Sequence, residues 1–138
     1  MKNRLKEGIC MSNDLKPAVH AVFVHVKELK RAARWYSQLL ELPYQEENVQ
    51  SPVYNLPLKE GVYLTLDDHS FDPRFEFSPS KLPAFNFFSH DLYSTYEWVK
   101  QEGIDVEREL ERHGDFGWFH ISDPDENVIM ICGDIVTE

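Results

Sequence analysis

Imidazoles, carboxylates and thiols are the groups of this sequence able to move protons, ligate metals or attack an electrophile. Of the six histidines, His25 and His120 stand inside the apolar runs VFVHV and GWFHI, where a ring can bind protons, hydrogen-bond or stack. A purely structural core place for each stands beside this as an equal alternative, though two histidines on facing walls are unusual for a core. His90 and His113 fall at a helix start and in a charged turn, positions that read as solvated surface. Asp67-Asp68 and Asp123/Asp125 read as turn carboxylates without the enclosure that acid/base catalysis requires. Glu107, Glu109 and Glu111 alternate with Arg108 and precede Arg112, a pattern of solvent-facing strand and turn. Cys132 reads as a small buried hydrophobe with an inert thiol. No phosphate-binding glycine loop, nucleophile elbow or HExxH helix occurs.

The elements that would position these groups follow from hydrophobic period. Residues 18–26 (AVHAVFVHV) read as a strand. Over 28–40 the period changes, and Leu29, Ala32, Ala33, Tyr36, Leu39 and Leu40 share one helical face. Leu42-Pro43 stops that helix. Strands are expected at 44–47, 53–56 and 61–66. After a Pro- and Ser-rich linker the order recurs: strand 84–89, a helix over 92–102 capped by Asp91 and ended by Gly103, then strands 106–110, 117–122 and 128–132. Glu28/Asp91, Leu29/Leu92 and Trp35/Trp98 coincide at a spacing of roughly 63 residues. The expectation is an α+β fold of two βαβββ modules, 18–70 and 83–134, joined by linker 71–82 within one domain spanning 18–138.

Composition narrows the partners. A chain of 138 residues with 42% hydrophobic and 13% aromatic content can bury a core. A net charge of −10 argues against a nucleic-acid backbone as partner, and no apolar run approaches the ~20 residues that span a bilayer. Cys10 and Cys132 alone give no disulfide framework, so a reducing cytoplasm is expected. Residues 1–17 read as a flexible tail. Within it Lys6-Glu7-Gly8 can be encoded by a purine-rich bacterial ribosome-binding sequence, which would put the translation start at Met11.

The run VHVKELKRAARWYSQLLEL (24–42), its echo FFSHDLYSTYEWVKQEGIDV (87–106) and the turn DPDEN (123–127) before VIMI resemble the vicinal-oxygen-chelate superfamily. That superfamily includes glyoxalase I, extradiol dioxygenases, and fosfomycin- and bleomycin-resistance proteins. The resemblance implies a curved, cup-shaped mixed sheet of the glyoxalase/bleomycin-resistance kind. It also implies a divalent ion held by His, Gln or Glu from the first and last strands of each module. The matching positions here are Ala21, Thr65, Ala84 and Met130, and none is a competent ligand. The usual metal is therefore expected to be missing and no cofactor is expected. A different site using His25 and His120 would need a third ligand, for which His69 is the candidate. Where the family usually has glycine in the final turn stands Glu126, which must accept strain or a different turn type.

Alternation of side chains gives the expected wall of the cup: Phe23 and His25, Tyr63, Asn86 and Phe88, Trp118 and His120, and Met130. For Phe23 and Phe88 the plainer reading is ordinary core, and for Asn86 a bond to neighbouring backbone. An aromatic pocket with two imidazoles and one amide suits a small molecule. The resemblance is closest in kind to metal-free bleomycin-resistance proteins, which bind without turnover and pair as homodimers. Sequestration of an antibiotic or metabolite is the expected function. A metal-dependent lyase, isomerase or dioxygenase is the alternative.

Overall fold

The computed structural model describes residues 13–137. Met1, Cys10 and the Met11 start lie outside the described residues. Strand β1 (Ala21–His25) is followed by α1 (Leu29–Leu39), β2 (Val53–Asn55) and β3 (Tyr63–Asp67). After 71–82, which contain no helix or strand, come β4 (Asn86–Ser89), α2 (Leu92–Gln101), β5 (Val106–His113), β6 (Phe116–Ser122) and β7 (Val128–Asp134). The architecture is α+β with two modules. One departure concerns 44–47: this stretch is loop running into a 3-10 turn at Glu46–Asn48, so the first module has three strands. Tyr44 packs against the core and its hydroxyl donates back to the Lys30 carbonyl (3.3 Å), which suits a loop tied to α1.

Each module builds a sheet in which its first strand runs parallel to its last. The first sheet has the order β1-β3-β2 and the second β4-β7-β6-β5. Among the described residues both β1 and β4 are edge strands, and no ladder joins the two sheets. Val22 and Val24 on β1, Leu64 and Leu66 on β3, and Phe119, Ile121, Ile129 and Ile131 on β6 and β7 turn to one side. There they meet Leu29, Ala32, Ala33 and Tyr36 of α1 and Leu92 and Val99 of α2 in a single cluster. Burying each of the larger side chains contributes about 1.5–3 kcal/mol.

Both helices end in the same way. In α1 the Glu41 N–H donates to Gln38 O and the Leu42 N–H to Ser37 O, with Glu41 left-handed at φ 54°. In α2 the Gly103 N–H donates to Lys100 O and the Ile104 N–H to Val99 O, with Gly103 at φ 75°. This pairing satisfies the last carbonyls and reverses the chain. At the other end of α2, Asp91 accepts from the Ser94 N–H (3.2 Å), as its sequence position predicts.

The modules are locked together by the turn 123–127. Asp123 Oδ1 accepts from the backbone N–H groups of Asp125 and Asn127, and its Oδ2 accepts from Asn127 Nδ2 and from the Tyr36 hydroxyl (2.7 Å). Arg31 pairs with Asp125, the Lys27 N–H donates to the same carboxylate, and Asn127 Nδ2 donates to the His25 carbonyl. These carboxylates do shape a turn, but a buried one that reaches across to α1 and β1. Glu126 accepts the strain of a left-handed conformation, at φ 68°, in a five-residue loop.

Candidate functional site

Register places the cup-lining candidates. Directly paired residues share a sheet face. On the second sheet the rows are Trp118–Cys132–Phe88 and His120–Met130–Asn86. On the first they are Tyr63–Ala21, Asn55–Thr65–Phe23 and Val53–Asp67–His25. All occupy the face opposite the one that packs on the helices. Phe23, Tyr63 and Phe88 are each about half exposed there, at 51%, 51% and 52%. Ordinary core packing is thus corrected for Phe23 and Phe88.

The cavities divide this wall rather than gathering it. One of about 230 Å³ lies at the seam of β1 and the start of the second module, where Phe23 and His25 meet Ala84, Phe85, Ser78 and Ser80. A broader groove of about 600 Å³ takes in Asn86 and Phe88, with Leu58, Lys59, Glu60 and His90 on its rim. Tyr63 lines a third with His20 and Asn55. Trp118, His120 and Met130 line none of these three cavities. His113 stacks on Trp118 with ring centroids 4.5 Å apart, so a residue expected at the solvated surface covers one face of the indole. His120 Nδ1 contacts Glu107 Oε1 at 3.3 Å, while its Nε2 is buried without a partner. Cys132 Sγ donates to Asn86 Oδ1 (3.3 Å), and burial pushes its thiol pKa up, in keeping with an inert group. The partner of Asn86 is therefore a side chain, not backbone.

The positions that the resemblance assigns to the family's metal carry Ala21, Thr65, Ala84 and Met130. Thr65 is buried and donates its hydroxyl proton to Asn55 Oδ1, and a neutral hydroxyl is a weak ligand that supplies no charge to a cation. Methyl, hydroxyl and thioether groups do not make a ligand set for a divalent ion.

A different cluster forms at the far end of the same two strands. His25 pairs in register with Asp67, and the Asp67 Oδ1 accepts from the His69 backbone N–H (2.8 Å). His69 stands at φ 56°. That left-handed step turns its ring back so that Nε2 lies 2.5 Å from His25 Nδ1 and 3.6 Å from Asp67 Oδ2. Phe75 from the linker stacks on His69, centroids 3.7 Å apart and planes within 6°. Asp67 is buried, a strand residue rather than the unenclosed turn carboxylate expected of it. The next residue, Asp68, accepts from Ser51 and Ser70; burial raises its pKa, and these bonds outweigh burial and hold it low. Burial, then the neighbouring His69, lowers the His25 pKa, with Asp67 opposing. His25 and His69 thus come together as one pair, and His120 stands apart on β6, bonded to Glu107.

Residues 18–131 match the family model described as the Glyoxalase/Bleomycin resistance protein/Dioxygenase superfamily. No curated protein sequence is significantly similar to the chain. Among solved structures, one of a glyoxalase/bleomycin resistance protein/dioxygenase from Nocardioides superposes with a TM-score of 0.65 at 12% identity, over 99% of this chain and 95% of that one. Lactoylglutathione lyase from Agrobacterium tumefaciens gives 0.61 at 17% identity, over 86% and 94%. The oxidase ChaP-H2 gives 0.63 at 16% identity, over 86% and 94%. At these identities the likeness is one of fold.

Proposed function

Because the chain belongs to the glyoxalase/bleomycin resistance protein/dioxygenase superfamily, we propose that it binds an aromatic or otherwise flat small molecule on its concave sheet face without using the family's usual metal positions. One observation carries this reading: Phe23, Tyr63 and Phe88 expose half their surface on the face opposite the core. Each aromatic side chain left open on this face costs the fold hydration free energy that a bound ligand returns. The net charge of −10 favours a cationic ligand. Sequestration of an antibiotic or metabolite, in the cytoplasm and as a homodimer, is the form of this function that the family resemblance supports.

The lyase and oxidase among the structural neighbours prompt the enzymatic alternative. That chemistry polarises vicinal oxygens at a divalent ion, and Ala21, Thr65, Ala84 and Met130 supply no ligand set for it. Native mass spectrometry of gently purified protein, followed by titration with retained or screened aromatic cations, tests the reading. A ligand retained or bound by the wild type, and bound several-fold more weakly by folded Phe23→Ala and Phe88→Ala variants, is the expected result. Unchanged affinity in both variants would overturn it.

A further inference from the structure

We propose that His25, Asp67 and His69 form a binding site for one divalent first-row transition-metal ion, at a place separate from the four positions the family uses. The separation is along the strand: His25 lies four residues beyond Ala21, roughly 13 Å away at the rise of a β-strand.

The donor set selects the ion class. Two imidazole nitrogens and one carboxylate suit zinc, cobalt or iron(II), whereas magnesium and calcium take oxygen ligands. The ligand atoms of the three residues all lie within 4.8 Å of one another. Two ligands held 2.0–2.1 Å from a tetrahedral ion would stand about 3.3 Å apart. The His25 and His69 nitrogens, now 2.5 Å apart, need to part by less than 1 Å to admit an ion between them.

The surroundings hold these donors in place. His25 and Asp67 are fixed on adjacent strands, and the His25 carbonyl is held by Asn127 Nδ2. Asp67 uses Oδ1 to anchor the His69 backbone and leaves Oδ2 facing the imidazole. His69 keeps a left-handed backbone conformation that is unfavourable for a non-glycine residue, and that conformation is what brings its ring to His25. Phe75 fixes the plane of that ring, and Ser51 and Ser70 brace the following Asp68. Strain spent on orienting an imidazole toward a second imidazole and a buried carboxylate is the economy of a ligand site. Three protein donors leave at least one coordination position for water or another ligand.

Titration of chelator-treated, dialysed full-length protein with Co²⁺, followed by its visible d–d absorption, and with Zn²⁺ by calorimetry, tests the site. One ion per chain is expected, with affinity at least tenfold weaker in His69→Ala and in Asp67→Asn and unchanged in His90→Ala. Circular dichroism establishes that each variant is folded. Should the buried Asp67→Asn variant fail to fold, His69→Ala decides alone, since His69 lies in the loop after β3, outside every helix and strand. No saturable binding by the wild type, or full affinity in folded His69→Ala, would overturn the proposal. His25 lines the seam cavity as well, but Phe88→Ala removes none of these donors, so failure of ligand binding in that variant and failure of metal binding in His69→Ala are read separately.

Discussion

At the scale of single residues, Tyr36 has the largest buried stake. It is fully buried in α1, and its hydroxyl donates to a carboxylate of the other module. Burial first, then the charge and hydrogen bond of Asp123 and the charge of Asp125, raise its pKa well above 10.0. The unfolded chain releases this proton near pH 10, and the folded chain holds it to higher pH. The stabilisation is therefore whole below about pH 10 and is lost as pH climbs toward the raised folded value. Tyr36→Phe should cost about 1–3 kcal/mol at neutral pH, because Asp123 loses a donor while buried. Chemical denaturation at pH 7 and at successive alkaline values checks both, and the variant's stability should fall less steeply above pH 10. Trp118 is the other residue to test: it shares a sheet face with Phe88 through Cys132, and His113 stacks on one side of its indole. Trp118→Ala is expected to weaken ligand affinity several-fold while leaving the fold intact, as read by fluorescence-independent calorimetry.

At the scale of elements, the parallel pair β4–β7 depends on one close approach. A Cβ at Gly133 would land on the Ser89 carbonyl, backbone that cannot swing aside as a side chain could. Gly133→Ala should therefore cost about 2 kcal/mol or more by prising β4 off the sheet edge. Hydrogen exchange in which 86–89 stay fully protected in that variant would contradict the argument. The helices and the long strands are legible in the sequence because their periods are unbroken: Leu29, Ala32, Ala33 and Tyr36 recur on one helical face, and Phe119 and Ile121 alternate with Trp118 and His120. The 44–47 stretch is not, because a single aromatic between Pro43 and a polar run satisfies a strand pattern and a loop anchor equally well. Asp67 follows the same logic in reverse. Tyr63, Thr65 and Asp67 alternate in phase, and extending the strand by one residue would have set Asp67 beside His25. The return of His69 rests on a left-handed step at a histidine, which no residue type announces.

At the scale of the whole molecule, face alternation puts the expected aromatic wall on one side of the sheets, but how cavities divide that wall depends on the linker. Ser78 and Ser80 enter the seam cavity, and the Ser80 N–H is fixed by Asn127 Oδ1. Nothing in the hydrophobic pattern of a Pro- and Ser-rich stretch encodes that path. The joint at 123–127 has a further consequence, in time rather than space. Each sheet closes through contacts inside its own module, whereas Tyr36 and Asp123 stand 87 residues apart in sequence and Asn127 and His25 stand 102 apart. Closing so long a loop is entropically costly until both ends are already ordered. The joint should accordingly form after the rate-limiting step of folding. Tyr36→Phe would then leave the refolding rate nearly unchanged and speed unfolding by roughly five- to 150-fold, the whole of its 1–3 kcal/mol. Stopped-flow refolding slowed by a comparable factor would instead put the joint in the folding nucleus. On the first outcome the joint acts as a latch, setting how long the assembled cup persists rather than how fast it is made.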